Sequence, residues 1–205
     1  MIIAIIRLRD IAPPDELMEA MAEGGVDQIE VTLPTPGSLD LIRRWSGSEL
    51  ITVGAGTVRD HAGAEAARDA GARFFVTPTI DHDVLDVAEQ ASIVAYPGAL
   101  SPTEIETAYR HPAVAGVKVF PVGTVGGPSY IKAVKDPMPD VPLVPTGGVG
   151  VAEAEAYAAL GCLGVGVGSS LVSEDAVRAG DWTGLTQKAK AFVDSWARGV
   201  AAFTR

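Results

Sequence analysis

Residues 116–121 read Gly-Val-Lys-Val-Phe-Pro. The run is β-branched around Lys118, and strand alternation sends Lys118 and Phe120 to one face and Val117 and Val119 to the other. The aliphatic face needs an apolar cover, and the segments on either side, 102–109 and 127–135, carry helical spacing of apolar residues. The same rhythm continues to both ends of the chain. Strands are expected near 2–7, 28–33, 50–55, 73–77, 92–96, 116–120, 142–146 and 163–168. Helices are expected over 13–23, 37–45, 59–70, 81–90, 102–109, 127–135, 152–160 and 181–203. Ser101-Pro-Thr-Glu104 marks one helix start, and Gly24-Gly25, Gly71 and Gly161 stand where glycines stop helices. Strict strand–helix alternation implies parallel strands joined by right-handed crossovers, and eight units close as a (β/α)8 barrel of the TIM type. Such barrels usually run to ~250 residues, so the loops here must be tight. A doubly wound open sheet is the alternative. Against it, no Gly-x-Gly-x-x-Gly follows the first strand, and the chemically active residues recur after many strands.

The chain has 205 residues, 47% of them hydrophobic, with no Pro/Ser linker or charge block, and reads as one domain over 1–205. A formal net charge of -10 argues against nucleic acid or anionic lipid as partner. The single cysteine, Cys162, excludes an internal disulfide and fits a cytoplasmic location. The apolar run 2–6 is too short for a signal-peptide core, and no segment is long enough to span a membrane. His61, His82 and His111 lack metal-ligand spacing, so no metal is expected.

Lys118 is the unusual lysine. The other four, Lys132, Lys135, Lys188 and Lys190, lie in stretches that read as helix surface. An amine held in an apolar interior has its charged form disfavoured, so its pKa falls and it becomes a nucleophile able to form a Schiff base with a carbonyl compound. In the second strand, Gln28-Ile-Glu-Val-Thr-Leu33, Glu30 and Thr32 alternate with Ile29, Val31 and Leu33, which turns Glu30 toward a barrel interior. A buried carboxylate beside a low-pKa lysine is a workable proton shuttle. A Glu30–Lys118 ion pair that merely satisfies two interior charges is the bland alternative.

The seventh and eighth strands end in Pro145-Thr-Gly-Gly-Val149 and Gly164-Val-Gly-Val-Gly-Ser-Ser170. In barrels the loops after these strands often hold phosphate on backbone N–H groups, without basic side chains. Val53-Gly-Ala-Gly-Thr-Val58, Val76-Thr-Pro-Thr79 and Ala95-Tyr-Pro-Gly98 leave room at the barrel mouth. Thr57 offers a hydroxyl to a carboxylate or caps the following helix; Pro78 and Pro97 read equally as turn residues. Arg7, at the end of the first strand, is a candidate ligand-binding cation.

In this order the segments Gly-Gly-Val-x-x-Ile-Glu-Val-Thr-Leu (24–33), Val-Gly-Ala-Gly-Thr-Val (53–58), Val-Thr-Pro (76–78), Tyr-Pro-Gly (96–98), Val-Lys-Val-Phe-Pro (117–121), Pro-Thr-Gly-Gly-Val (145–149) and Gly-Ser-x-Leu-Val (168–172) carry a resemblance over nearly the whole chain. The sequence resembles the 2-keto-3-deoxy-6-phosphogluconate (KDPG) aldolase family, which also holds 4-hydroxy-2-oxoglutarate (KHG) and 2-keto-3-deoxy-6-phosphogalactonate aldolases. The resemblance implies a class I aldolase with Lys118 as the imine lysine and Glu30 as general acid/base, acting on a keto acid without a cofactor. Thr57, Pro78, Phe120 and Thr146 would line the pyruvate region, phosphate would sit at Gly147, Gly148, Gly168 and Ser169, and the assembly would be a homotrimer. One departure matters. Gluconate-type members often carry arginine four residues after the glutamate, where this chain has Pro34. Arg7 resembles the first-strand arginine of other branches. Two rival functions fit the same frame: an isomerase or epimerase without an imine, and a non-catalytic sugar-phosphate sensor.

Overall fold

The computed structural model describes residues 1–204. The chain runs β1 (Ile2–Ile6), α1 (Asp15–Glu23), β2 (Gln28–Thr32), α2 (Ser38–Trp45), β3 (Thr52–Gly56), α3 (His61–Asp69), β4 (Phe74–Val76), α4 (His82–Gln90), β5 (Val94–Tyr96) and β6 (Gly98–Ala99). It continues α5 (Pro102–Tyr109), β7 (Val117–Val119), α6 (Pro128–Lys135), β8 (Leu143–Pro145), α7 (Val151–Ala159), β9 (Val165–Val167), α8 (Glu174–Ala179) and α9 (Trp182–Phe203). The strands are shorter than expected, and α8 escaped the sequence reading because six residues span too few turns to show a period.

All strand pairings are parallel. Six strands form a sheet in the order β5-β4-β3-β2-β1-β9, and β6-β7-β8 form a second. The two meet at both ends. At one, only Pro97 separates β5 from β6. Proline has no N–H to give to a ladder, so the strand breaks there, yet the Pro97 carbonyl still accepts the Lys118 N–H at 2.9 Å. Pro97 is thus a break within a strand and not the turn that its residue type suggests. At the other end, Thr146 bridges to Gly166, and the Leu163 N–H donates to the Leu143 carbonyl at 2.9 Å. The result is a mixed α/β fold whose parallel sheet curls back on itself.

Alternation divides the buried residues into two clusters. Ile29, Val31, Val117 and Val119 face outward into the layer between sheet and helices. Ile3, Phe74, Val76, Tyr96 and Val144 pack inside the curl, with the Phe74 and Tyr96 rings edge to face at 5.8 Å. Glu30, in register with Ile5 and Gly54, and Lys118, in register with Gly98 and Val144, share that interior. The helix signals hold locally: Ser101 and Glu104 form a capping box at α5. Among the described residues no helix is long and apolar enough to cross a membrane.

Candidate active site

Lys118 sits at the centre of β7, where the flanking valines take the outward positions and leave its side chain the interior. It is 4% exposed. Its amine lies 5.1 Å from the centre of the Phe120 ring, two residues on and on the same face. Burial pushes the amine pKa below its usual value; Glu30 opposes that shift, and the Arg7 charge reinforces it.

Glu30 occupies the corresponding interior position of β2 and is 1% exposed. Burial raises its carboxyl above the ordinary range, against the lowering influence of Lys118 and Arg7. Its Oε1 is buried with no hydrogen-bond partner among the described residues. A Cβ at Gly56, on the neighbouring strand, would overlap the Glu30 carboxyl, so glycine there supplies the space the side chain fills. Neither Glu30 nor Lys118 makes an ion pair within 4.0 Å among the described residues. The groups influence each other electrostatically without a direct ion pair, and a carboxyl oxygen of Glu30 stays unsatisfied. Such an orphaned buried acceptor is costly to a fold, about 1–3 kcal/mol for a typical group. In this position it is suited to exchange protons with a bound molecule or a water.

Arg7 extends from the end of β1, and its guanidinium donates to Thr57 Oγ1 at 3.1 Å. Thr57 has a left-handed backbone, φ 54°, rare for a β-branched residue. It does not cap α3. That role belongs to Asp60, whose Oδ1 accepts from the Gly63 N–H at 2.7 Å. The strained threonine instead holds Arg7 at the site.

A cavity of about 770 Å³ opens at the strand C-termini. Of the residues singled out from sequence, Arg7, Lys118, Phe120, Thr146, Gly147, Gly148, Gly168 and Ser169 all line it. Gly147 and Gly148 have positive φ, 89° and 78°, a conformation open mainly to glycine. The N–H groups of Gly148, Val149, Gly168 and Ser169 donate to no protein acceptor among the described residues. The two loops are stitched together where the Ser170 hydroxyl donates to the Val149 carbonyl at 2.7 Å. Glu30 and Thr57 lie outside the lining, Glu30 in the interior and Thr57 through Arg7. Pro78 does not line the cavity; its carbonyl packs closely on Gly98.

Sequence reasoning passed over Arg9, Glu153 and Glu174, which also line the cavity. Glu153 has a local role, accepting the Gly150 N–H at the start of α7 at 3.0 Å. The structure also gathers His111 with Asp86 and Glu89 on the outer surface, potential ligand atoms within 4.8 Å of one another, which the histidine spacing did not reveal. His111 Nε2 lies 3.3 Å from Asp86 Oδ1, and its Nδ1 accepts the Ala113 N–H at 3.3 Å.

The sequence profile of the KDPG and KHG aldolase family matches residues 1–188. The 2-dehydro-3-deoxy-phosphogluconate aldolase of Pseudomonas aeruginosa is 36% identical over 200 residues, 96% of this chain and 88% of the relative. The 2-dehydro-3-deoxy-6-phosphogalactonate aldolase of Escherichia coli K12 is 34% identical, covering 94% of each. The crystal structure of KDPG aldolase from Legionella pneumophila, with pyruvate captured as a covalent carbinolamine intermediate, superposes with a TM-score of 0.81 at 28% identity, covering 93% of each chain. Fold, site and relatives together define an aldolase, a carbon–carbon lyase of the Schiff-base type. The chain belongs to the KDPG and KHG aldolase family.

Proposed function

We propose that this chain cleaves 2-dehydro-3-deoxy-6-phosphogluconate reversibly to pyruvate and glyceraldehyde 3-phosphate, with Lys118 as the imine lysine and Glu30 as general acid/base. The observation that carries the reading is the buried, neutral-leaning Lys118 amine sharing its interior with an unpartnered Glu30 oxygen. The amine attacks the C2 ketone, and Glu30 protonates the departing hydroxyl of the carbinolamine, so that water leaves and an iminium remains. Loss of the C4 hydroxyl proton then breaks the C3–C4 bond. The electron pair moves into the iminium, glyceraldehyde 3-phosphate departs, and the enamine is protonated at C3 and hydrolysed to pyruvate, restoring the amine. The iminium is the electron sink, so the cycle uses no cofactor or metal.

In this reading the carboxylate of the keto acid meets Arg7 and Thr57, and Thr146 and Phe120 flank the reacting carbons. The phosphate rests on the N–H groups of the Gly147–Gly148 and Gly168–Ser169 loops. Pro78 acts only through the strand it packs against. The curled sheet is taken as a complete (β/α)8 barrel, supported by its two junctions at Pro97 and Thr146. The 1–205 chain is taken as one domain of a cytoplasmic homotrimer, on the strength of the family.

A second reading, cleavage of the phosphogalactonate epimer, is favoured by Pro34 in place of an anchoring arginine and by Arg7 standing free of any carboxylate in the cavity. Cleavage of 4-hydroxy-2-oxoglutarate is the third assay that separates the branches. Borohydride reduction in the presence of pyruvate, followed by peptide mass analysis, tests the mechanism. A reduced adduct confined to Lys118 supports it. No adduct, or label on Lys132 and Lys188, overturns it.

A further inference from the structure

The cavity presents a charge problem. A phosphate monoester carries about -1.5 to -2 charges near neutral pH. The protein is already at -10, and Glu153 and Glu174 both line the space beside the glycine loops. Backbone N–H groups supply only partial charges. Of the two arginines in the cavity, Arg7 is engaged by Thr57 and bears electrostatically on both Glu30 and Lys118, which ties it to the reacting end. Arg9 bears on neither group. Its guanidinium has no hydrogen-bond or ion-pair partner among the described residues, although it lines the same cavity as the loops.

The backbone of Arg9 is nonetheless held. Its N–H donates to Glu174 Oε2 at 2.9 Å, while Arg178 donates to Glu174 Oε1 at 2.6 Å and approaches Asp10 at 3.5 Å. The Glu174 carboxyl is accordingly kept below its usual range, first by the Arg9 N–H and then by Arg178. This latch fastens the segment after β1 onto α8, with the side chain of Arg9 left free over the cavity. Its acid is consumed by the latch and is not offered to Arg9's guanidinium.

We propose that Arg9 is a specificity-determining residue of this chain: it takes the distal phosphate of the substrate, dividing the anionic ends between two arginines, Arg7 inside and Arg9 at the mouth. The assignment rests on the phosphorylated-substrate reading above. A guanidinium suits the task because its planar fork can donate two hydrogen bonds to phosphate oxygens.

The test compares wild type, Arg9→Ala and Arg9→Lys on 2-dehydro-3-deoxy-6-phosphogluconate, on the same sugar acid lacking its phosphate, and in borohydride trapping with pyruvate. Arg9→Ala is expected to raise KM for the phosphorylated substrate roughly 10- to 100-fold, the worth of one charged hydrogen bond. KM for the unphosphorylated acid and the pyruvate trapping rate should stay within about twofold, Arg9→Lys should recover part of the loss, and inhibition by inorganic phosphate should weaken in step. If wild type prefers the phosphorylated acid and Arg9→Ala keeps that preference, Arg9 is not the phosphate ligand and the substrate reading stands. If wild type shows no preference for the phosphate, the substrate reading falls and Arg9's role with it. Equal losses on both acids and in trapping mark general damage and overturn the assignment.

Discussion

The carboxyl of Glu30 lies against the α-carbon of Gly56, so closely that a methyl group there would overlap it. The two residues pair with adjacent partners across β2 and β3, since Gly54 opposes Glu30 and Gly56 opposes Thr32. The side chain of Glu30 thus leans along its strand direction over Gly56, which has no side chain to meet it. Gly56 is not needed for backbone conformation. It is needed for room.

Gly56→Ala should therefore displace the carboxyl before it disturbs the fold. Overpacking of this kind costs about 1–3 kcal/mol, and the buried Glu30 has little free space to move into. The expected outcome is a folded protein with a lowered Tm and a turnover reduced by roughly 10-fold or more, since a misplaced acid/base group loses much of its catalytic effect. Steady-state kinetics beside a thermal melt decide it; normal turnover would show that Glu30 need not occupy this place.

Glu30→Gln keeps the shape and removes the proton. Turnover should fall ~100-fold or more, while pyruvate can still be trapped on Lys118. The stability profile carries an independent sign. Burial raises the folded-state pKa of Glu30, so the native state binds the proton more tightly than the unfolded chain does. The wild-type carboxyl is therefore best tolerated at low pH, and unfolding free energy drops as pH rises through the elevated pKa. Glu30→Gln should lack that drop and gain on wild type as pH rises above the ordinary carboxylate range. A variant that loses ground over that rise would mean the carboxylate is stabilising and paired.

Burial is the main cause of the lowered Lys118 pKa, and Arg7 adds to it. Imine formation needs the neutral amine. Arg7→Gln should let that pKa climb, so the acid limb of the borohydride-trapping rate should move to higher pH. An unmoved limb, with only KM for pyruvate increased, would leave Arg7 as a carboxylate ligand alone.

How much of this was legible in the sequence follows from the range of the interactions. Lys118 and Glu30 were readable because strand alternation is a local rule: Val117 and Val119 on one face leave only the other for Lys118. The glycine loops were readable from their position after the last two strands. The space at Gly56 was not, because it depends on a neighbour 26 positions back along the chain, in a register that no local pattern states. Of the two roles open to Thr57, the helix cap goes instead to Asp60, which sits closer to the helix and takes the bond. Nothing in the residues around Arg9 marks it out. Only the contact with Glu174, 165 positions away, shows what holds it. Pro97 is compatible with a turn by residue type, yet the strand resumes immediately on its far side.

The two glycine loops allow a test in which strain and charge can be separated. Gly148 has φ 78°, so Gly148→Val forces a β-branched residue into a conformation that disfavours it and adds bulk beside Gly123. Loss of activity there would mix phosphate recognition with backbone strain. Ser169 is exposed, has no positive φ, and sits in the cavity lining, so Ser169→Asp introduces a charge with little else. A carboxylate facing the phosphate should raise KM for the phosphorylated substrate roughly 10-fold or more by like-charge repulsion, and less so in high salt. Cleavage of 4-hydroxy-2-oxoglutarate, which has no phosphate, should change much less, and Gly148→Val should show the same bias on top of a lowered Tm. Equal losses on both substrates from Ser169→Asp would place the phosphate away from the loop after β9, because a charge that repels nothing specific to the phosphorylated substrate can only act on the fold or on the imine site that both substrates share.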